Sequence, residues 1–243
     1  MGWGRPLFFS YLYSMLHKTR GIVINYIRYR ETSIIVKIYT EEFGLQTYIE
    51  NGVRSAKGKN KIALFQPLTL LDLVVYHRDT AGIMRLSEIK CNAPFATLPY
   101  QFVKSGIALF LSEVFNKSLK EEAANPSLFH FLHHSILLLD QQTEHFENFP
   151  IQFLLHFAQY LGFAPSEAKE VFAQLEEFQL LTYAKEDEKP FDELIQAPYH
   201  QHIPLTGTQR RRILEYTLMF YRLHIDSFGE LRSLPILREL LAG

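Results

Sequence analysis

Residues 21–50 read GIVINYIRYRETSIIVKIYTEEFGLQTYIE. Residues 21–27 and 33–40 are dense in β-branched and aromatic side chains, which suit a pleated, half-buried surface. Between them, residues 28–32 form a polar connection. Residues 40–44 read as a tight turn, with Gly44 free to take a positive φ. Residues 45–50 continue as a third strand. Working outward, residues 68–76 and 83–90 carry the same signature, and the turn-forming residues 78–82 separate them. Five short strands within residues 15–93 suit a small closed barrel, and the OB-fold is the expected form.

After Pro94 the apolar spacing turns helical. Phe102, Gly106, Leu109, Phe110, Glu113 and Val114 share a helical pattern through residues 100–118. Asn125 and Pro126 supply a cap and a first-turn proline for a second helix carrying Leu128, Phe129, Leu132, Ile136 and Leu139. Phe149 and Pro150 open a third, which Gly162 stops. Residues 167–181 predict a fourth. Residues 183–203 are acidic and interrupted by Pro190 and Pro198, so they read as loop with at most a short hairpin. Residues 206–223 predict a fifth helix capped by Thr206 or Thr208, and a short last helix follows Pro235. The expected class is α+β: a five-stranded OB barrel over 15–93 followed by an all-helical domain over 94–243. Residues 1–14 (MGWGRPLFFSYLYS) carry a single charge and no small-residue cleavage site, which argues against a signal peptide. They read as a loose extension or an upstream start, with Met15 as the natural first residue.

The chain has 243 residues, is 47% hydrophobic and has a net charge of -1. That is enough apolar content for a packed core and argues against disorder. The near-zero charge conceals a division. Residues 15–93 hold 12 Lys and Arg against 7 Asp and Glu, and residues 94–243 hold 12 against 19. Such asymmetry points to two regions with different partners. The single cysteine, Cys91, cannot form an internal disulfide, which fits a reducing cytoplasm. No apolar run approaches the roughly 20 residues of a membrane-spanning helix.

No phosphate-binding glycine motif, nucleophile elbow or Cys–His pair with a third member is present, so no catalytic residue is assigned. His130, His133 and His134 fall on one helix, and His200 and His202 form a second cluster. An i, i+4 histidine pair can chelate zinc, but no HExxH or cysteine pair completes such a site, so no metal and no cofactor is expected. A metal-dependent hydrolase using these histidines is the remote alternative.

The cations are more coherent. Residues 52–61 (GVRSAKGKNK) contain Arg54, Lys57, Lys59 and Lys61, no acid and two glycines. Lys18, Arg20, Arg28, Arg30 and Lys37 belong to the same barrel, with Tyr26, Tyr29, Tyr39 and Tyr48 interleaved. Lysine and arginine attract phosphates at any base sequence, and aromatic rings stack on unpaired bases. These nine cations are the expected nucleic-acid contacts. Arg210, Arg211 and Arg212 either extend that surface or balance nearby acids. The residue chemistry serves RNA as well as DNA, so an RNA-binding barrel protein of RNA metabolism stands beside the DNA reading.

The ordered set of segments MLHKTRGIV (15–23), ETS (31–33), YTEEFGL (39–45), NGVRS (51–55), LFQPLTLL (64–71) and LGFAP (161–165) resembles the RecO family of bacterial recombination mediators. The resemblance implies a non-enzymatic protein that binds single- and double-stranded DNA through its barrel and anneals complementary strands. It also implies binding to the acidic tail of the single-strand-binding protein, action with RecR to load recombinase at gaps, and a cytoplasmic, nucleoid-associated location. An acidic tail needs an apolar pocket with one or two cations, which the sequence does not locate. Two departures stand out. Many relatives carry four zinc-binding cysteines after the LGFAP segment, whereas residues 166–205 contain none, so that zinc is expected to be absent. Arg30 replaces the glycine common before the acidic residue of the first connection, which leaves that turn's geometry open.

Overall fold

The computed structural model describes residues 16–55, 61–77, 82–120, 124–178, 183–199 and 201–241. The expected tail at 1–14, and Lys57, Lys59 and His200 with it, lie outside the described residues. The described part comprises two compact units. One takes the residues up to Phe95 together with Leu119–Ile136. The other takes Ala96–Ser118 with the residues from Leu137 onward.

In the first unit, β1 (Leu16–Tyr29), β2 (Ser33–Thr40), β3 (Gly44–Glu50), β4 (Leu70–Tyr76) and β5 (Met84–Cys91) close a barrel in the order β1-β2-β3-β5-β4. All pairings are antiparallel except β3 with β5. This is the OB-fold arrangement the strand pattern predicts. The 14-residue β1 serves two neighbours. Residues 16–22 pair with β4 and residues 21–29 with β2, and the register shifts between Val23 and Asn25. A bulge bends a strand and strengthens its twist, which lets one strand turn a barrel corner. Where β1 meets both partners it carries Gly21. A Cβ there would lie 2.6 Å from Ile38 Cγ2 and 2.7 Å from Leu73 Cδ1. The interior is filled by Val23, Ile34, Val36, Ile38, Tyr48, Leu71, Leu73 and Val75, with Phe65 from a short 3-10 turn. Gly44 takes the expected positive φ of 66°.

The helices are α1 (Phe102–Ser118), α2 (Pro126–Gln141), α3 (Phe149–Leu161), α4 (Ala168–Glu177), α5 (Glu188–Gln196), α6 (Gly207–His224) and α7 (Leu234–Leu240). Asn125 Oδ1 accepts the Leu128 N–H at 3.0 Å, as its cap role predicts. Gly162 ends α3 at φ 85°. Thr206, not Thr208, caps α6 in a reciprocal box with Gln209. The predicted loop over 183–203 is instead partly helical. In α5, Pro190 occupies the third position, within the first turn, where a backbone N–H has no helical acceptor and proline costs nothing. Phe191 and Leu194 bury that helix, and Arg212 of α6 binds the buried Asp187 at its start through Nε at 2.6 Å and NH2 at 2.6 Å. α4 is observed as far as Glu177; residues 179–182 lie outside the described set.

Candidate nucleic-acid interface

Alternation along the strands decides which side chains leave the barrel, and the bulge in β1 decides which of its cations do so together. Arg28 pairs in register with Ile34 and is exposed at the barrel's end. Arg30 sits in the β1–β2 connection at φ 50°, with its guanidinium 5.2 Å from the centre of the Tyr29 ring. The segment after β3 docks on the same connection. The Arg54 N–H donates to Thr32 O at 3.0 Å, and its guanidinium to Arg30 O at 3.3 Å. Three arginines from three separate sequence positions thus gather at one end. Lys37 lies on the outer face of β2, between Asn25 of β1 and Thr47 of β3. Among the described residues, neither Arg28 nor Lys37 has a carboxylate partner.

The remaining predicted contacts are placed differently. Lys61 is held by the buried Glu50 carboxylate at 2.5 Å. Arg20 forms a two-pronged pair with Glu41, Nε to Oε2 and NH2 to Oε1, both at 2.7 Å. That bond raises the Arg20 guanidinium's affinity for its proton and lowers that of the Glu41 carboxyl. Lys18 and Arg20 stand on the other half of β1 from Arg28, beside β4 and β5. There the rows Arg20–Asp72–Lys90 and Lys18–Val74–Glu88 line a cleft in which three cations face Glu41, Asp72 and Glu88. This face is electrically balanced. The seven predicted cations among the described residues therefore divide: Lys18, Arg20 and Lys61 stand beside carboxylates, whereas Arg28, Arg30, Arg54 and Lys37 form no ion pair with a described side chain.

The tyrosines divide as well. Tyr48 points into the barrel with no exposure, and burial pushes its phenol well above the usual value. Tyr39 faces outward but is only 4% exposed and stacks on Phe129 of α2, centroids 6.4 Å apart. Neither can receive a base. Tyr26 packs partly against the interior cluster, and Tyr29 stays beside Arg30. The alternation rule does find a cation outside the predicted nine: Arg85 of β5, exposed and in register with Ile49.

The described histidines of the two predicted clusters take separate partners. His130 Nδ1 lies 2.7 Å from Pro126 O, and its Nε2 lies 3.2 Å from the Arg20 guanidinium. His133 Nε2 meets Asn92 Oδ1 at 3.1 Å, and burial together with Arg20 lowers its basicity. Among the described residues, no three His, Cys, Asp or Glu side chains are placed to hold an ion. His202 lies against His145, centroids 4.1 Å apart and the rings tilted by 33°.

In the second unit, Gly207, Arg210, Arg211, Leu214, Arg238 and Leu241 line a small notch between α6 and α7. Arg210 is tied to Asn148 at 2.8 Å and Arg238 to Glu215 at 2.9 Å. Arg211 is exposed and pairs with no described side chain. Of the triple-arginine turn, Arg212 balances acids and Arg211 alone offers a free guanidinium. No helix among the described residues is long and apolar enough to cross a membrane.

A closed OB barrel followed by a helical region defines the class: an OB-barrel protein with a helical C-terminal part. Residues 15–95 match the family Recombination protein O N terminal, and residues 99–185 match Recombination protein O C terminal. DNA repair protein RecO of Bacteroides fragilis is 37% identical over 240 residues, 93% of this chain and 99% of that protein. DNA repair protein RecO of Phocaeicola vulgatus is 35% identical over 241 residues, 94% of this chain and all of that protein. DNA repair protein RecO of Flavobacterium psychrophilum is 34% identical over 236 residues, with 93% and 99% covered. The chain belongs to the RecO family of DNA repair proteins.

Proposed function

We propose that this protein is a non-enzymatic recombination mediator that grips DNA by the cationic end of its barrel. It anneals complementary single strands there and, with RecR and the single-strand-binding protein, promotes recombinase loading at gaps. The observation that carries the DNA part is the gathering of Arg28, Arg30 and Arg54 at one end of the barrel, with Lys37 on the adjoining face. Phosphates released from their counterions by such a group supply sequence-independent affinity. The annealing role follows from holding strands by their backbones, which leaves base edges free to find complements. The exposed Arg211 guanidinium, which pairs with no described side chain, supplies the cation that an acidic tail requires. The site of action is the cytoplasm, at the nucleoid.

Fluorescence anisotropy of a labelled single strand across a salt series tests this. The triple variant Arg28→Ala, Lys37→Ala, Arg54→Ala should flatten the log–log salt slope by about 2, given about 0.7 per phosphate contact. Its annealing rate should fall in parallel. The double variant Lys18→Ala, Lys90→Ala, on the balanced face, should leave the slope as it is. An unchanged slope in the triple variant overturns the assignment. Preference for an RNA oligomer of equal length would move the protein to RNA metabolism.

A further inference from the structure

The sequence holds a single Asn-Gly pair, Asn51–Gly52, directly after β3. Such a pair can react with itself. The Gly52 backbone nitrogen adds to the Asn51 side-chain carbon Cγ and closes an imide ring. The Cγ–Nδ2 bond breaks, and Nδ2 leaves as ammonia with the proton from the Gly52 N–H. Water then opens the ring. Opening at Cγ leaves aspartate at 51. Opening at the main-chain carbonyl leaves isoaspartate, whose backbone is a methylene longer. Glycine favours the first step because it has no Cβ to block the approach.

The structure leaves this pair open to reaction. Asn51 is exposed. Among the described residues the Gly52 N–H donates to no acceptor. A Cβ built on Gly52 would meet nothing within 4 Å, so the ring has room. The buried Ser33 hydroxyl donates to Asn51 Oδ1 at 2.9 Å. Negative charge builds up on that oxygen as Cγ is attacked, and a donor already aimed at it stabilises the charge. Arg30 and Arg54, gathered at this end of the barrel, favour the same charge from further out.

The pair also lies in the segment that docks Arg54. The Arg54 N–H bonds Thr32 O and its guanidinium bonds Arg30 O, while the Ser55 N–H and hydroxyl bond Gly52 O at 3.2 and 2.7 Å. With Ser33 bound to Asn51, these bonds fix the chain on both sides of Gly52. An extra methylene between residues 51 and 52 shifts that docking, and either product adds a carboxylate beside the arginines.

We propose that Asn51–Gly52 is a self-modifying site: with water as co-reactant it loses ammonia, places a carboxylate in the segment that carries Arg54, and so weakens the barrel's hold on polyanions as the molecule ages. The reaction stands on the geometry of the pair. Its consequence rests on the DNA-binding reading above.

The test ages the full chain for several days in warm, mildly alkaline buffer. Trypsin then releases residues 38–54, in which Asn51 is the sole asparagine. This peptide should show the small mass gain of an NH2-to-OH exchange, localised to residue 51 by fragmentation, and an isoaspartate-specific methyltransferase should label it. Asn51→Gln should stay unmodified there, because its longer side chain closes a larger ring more slowly. In anisotropy with a labelled single strand, aged wild type should bind about fivefold more weakly than fresh protein at low salt. Its log–log salt slope should be flatter by about 0.7, the loss of a phosphate contact. Fresh Asn51→Asp should show the charge part of this change, and aged Asn51→Gln should bind as fresh protein does. An unmodified residue 51 in the folded chain, while the urea-unfolded chain converts, overturns the proposal, because the fold would then protect the pair. Conversion that leaves strand affinity and slope unchanged overturns the consequence. Failure of the DNA-binding reading would look different: fresh wild type would bind no strand at low salt, and the mass change at residue 51 would still decide the reaction.

Discussion

Arg30 occupies a backbone position that most side chains avoid. Its φ of 50° lies in the left-handed region, where a Cβ crowds the following carbonyl oxygen. The position exists because β1 must reverse into β2 within three residues while its carbonyl accepts the Arg54 guanidinium. Glycine would sit there without strain but would loosen the unfolded chain, and the two effects nearly cancel. Arg30→Gly should therefore change stability by less than about 1 kcal/mol in urea denaturation. Arg30→Val, with a β-branched side chain at the same φ, should lose about 2 kcal/mol. Both remove one cation and should flatten the salt slope equally, which separates charge from fold. The sequence does not mark this position, since arginine is not a residue that favours a positive φ. It does not mark the pairing of Arg20 with Glu41, because the two stand 21 positions apart and the chain between them must fold before they meet. Nor does it mark the burial of Tyr39, which strand alternation correctly turns outward but which Phe129, ninety positions on, then covers.

At the scale of elements, strand and helix positions are legible wherever one period runs unbroken. The five strands and the caps at Asn125, Thr206 and Gly162 follow from local chemistry alone. α5 does not, because Pro190 reads as a breaker until its place in the first turn is known, and the ion pair anchoring that turn comes from α6. α7 is a further case where distant groups do the holding. Glu113 of α1 accepts the N–H groups of Arg232 and Ser233, both at 2.9 Å, and the Ser233 hydroxyl at 2.6 Å. At the other end of the pair, a Cβ on Gly106 would lie 2.2 Å from Leu240 Cδ1. Burial raises the Glu113 carboxyl's affinity for protons, but the Ser233 hydroxyl and the two N–H donors outweigh it, so the group ionises below its ordinary value. A carboxyl depressed in the folded state adds stability above its unfolded value, near 4, and that stability is lost as pH falls through the folded value. Glu113→Gln should cost about 1 to 2 kcal/mol at neutral pH, the range for a hydrogen-bonded charge. It should also remove part of the acid-side decline seen for wild type, measured by thermal melts between about pH 3 and 7.

At the scale of the whole molecule, charge is divided unevenly along the chain. The barrel region carries the excess of cations and the helical region the excess of acids. An acidic peptide approaching the helical region is repelled on average, so any grip there must be local. On α6, Arg211 is exposed and pairs with no described side chain, whereas Arg210 and Arg238 beside it are already spent on Asn148 and Glu215. Arg211 alone can meet an incoming carboxylate without first breaking an internal bond. Arg211→Glu should therefore weaken binding of an acidic peptide with an apolar carboxyl end at least tenfold, since it replaces attraction with repulsion worth about 1.4 kcal/mol or more. Its affinity for a single strand, measured alone, should remain at the wild-type value. The triple barrel variant should do the reverse, losing the strand and keeping the peptide. If Arg211→Glu leaves peptide affinity intact, Arg211 is not the docking point. If it weakens both ligands together, the two activities share one surface, and the charge division is not what separates them.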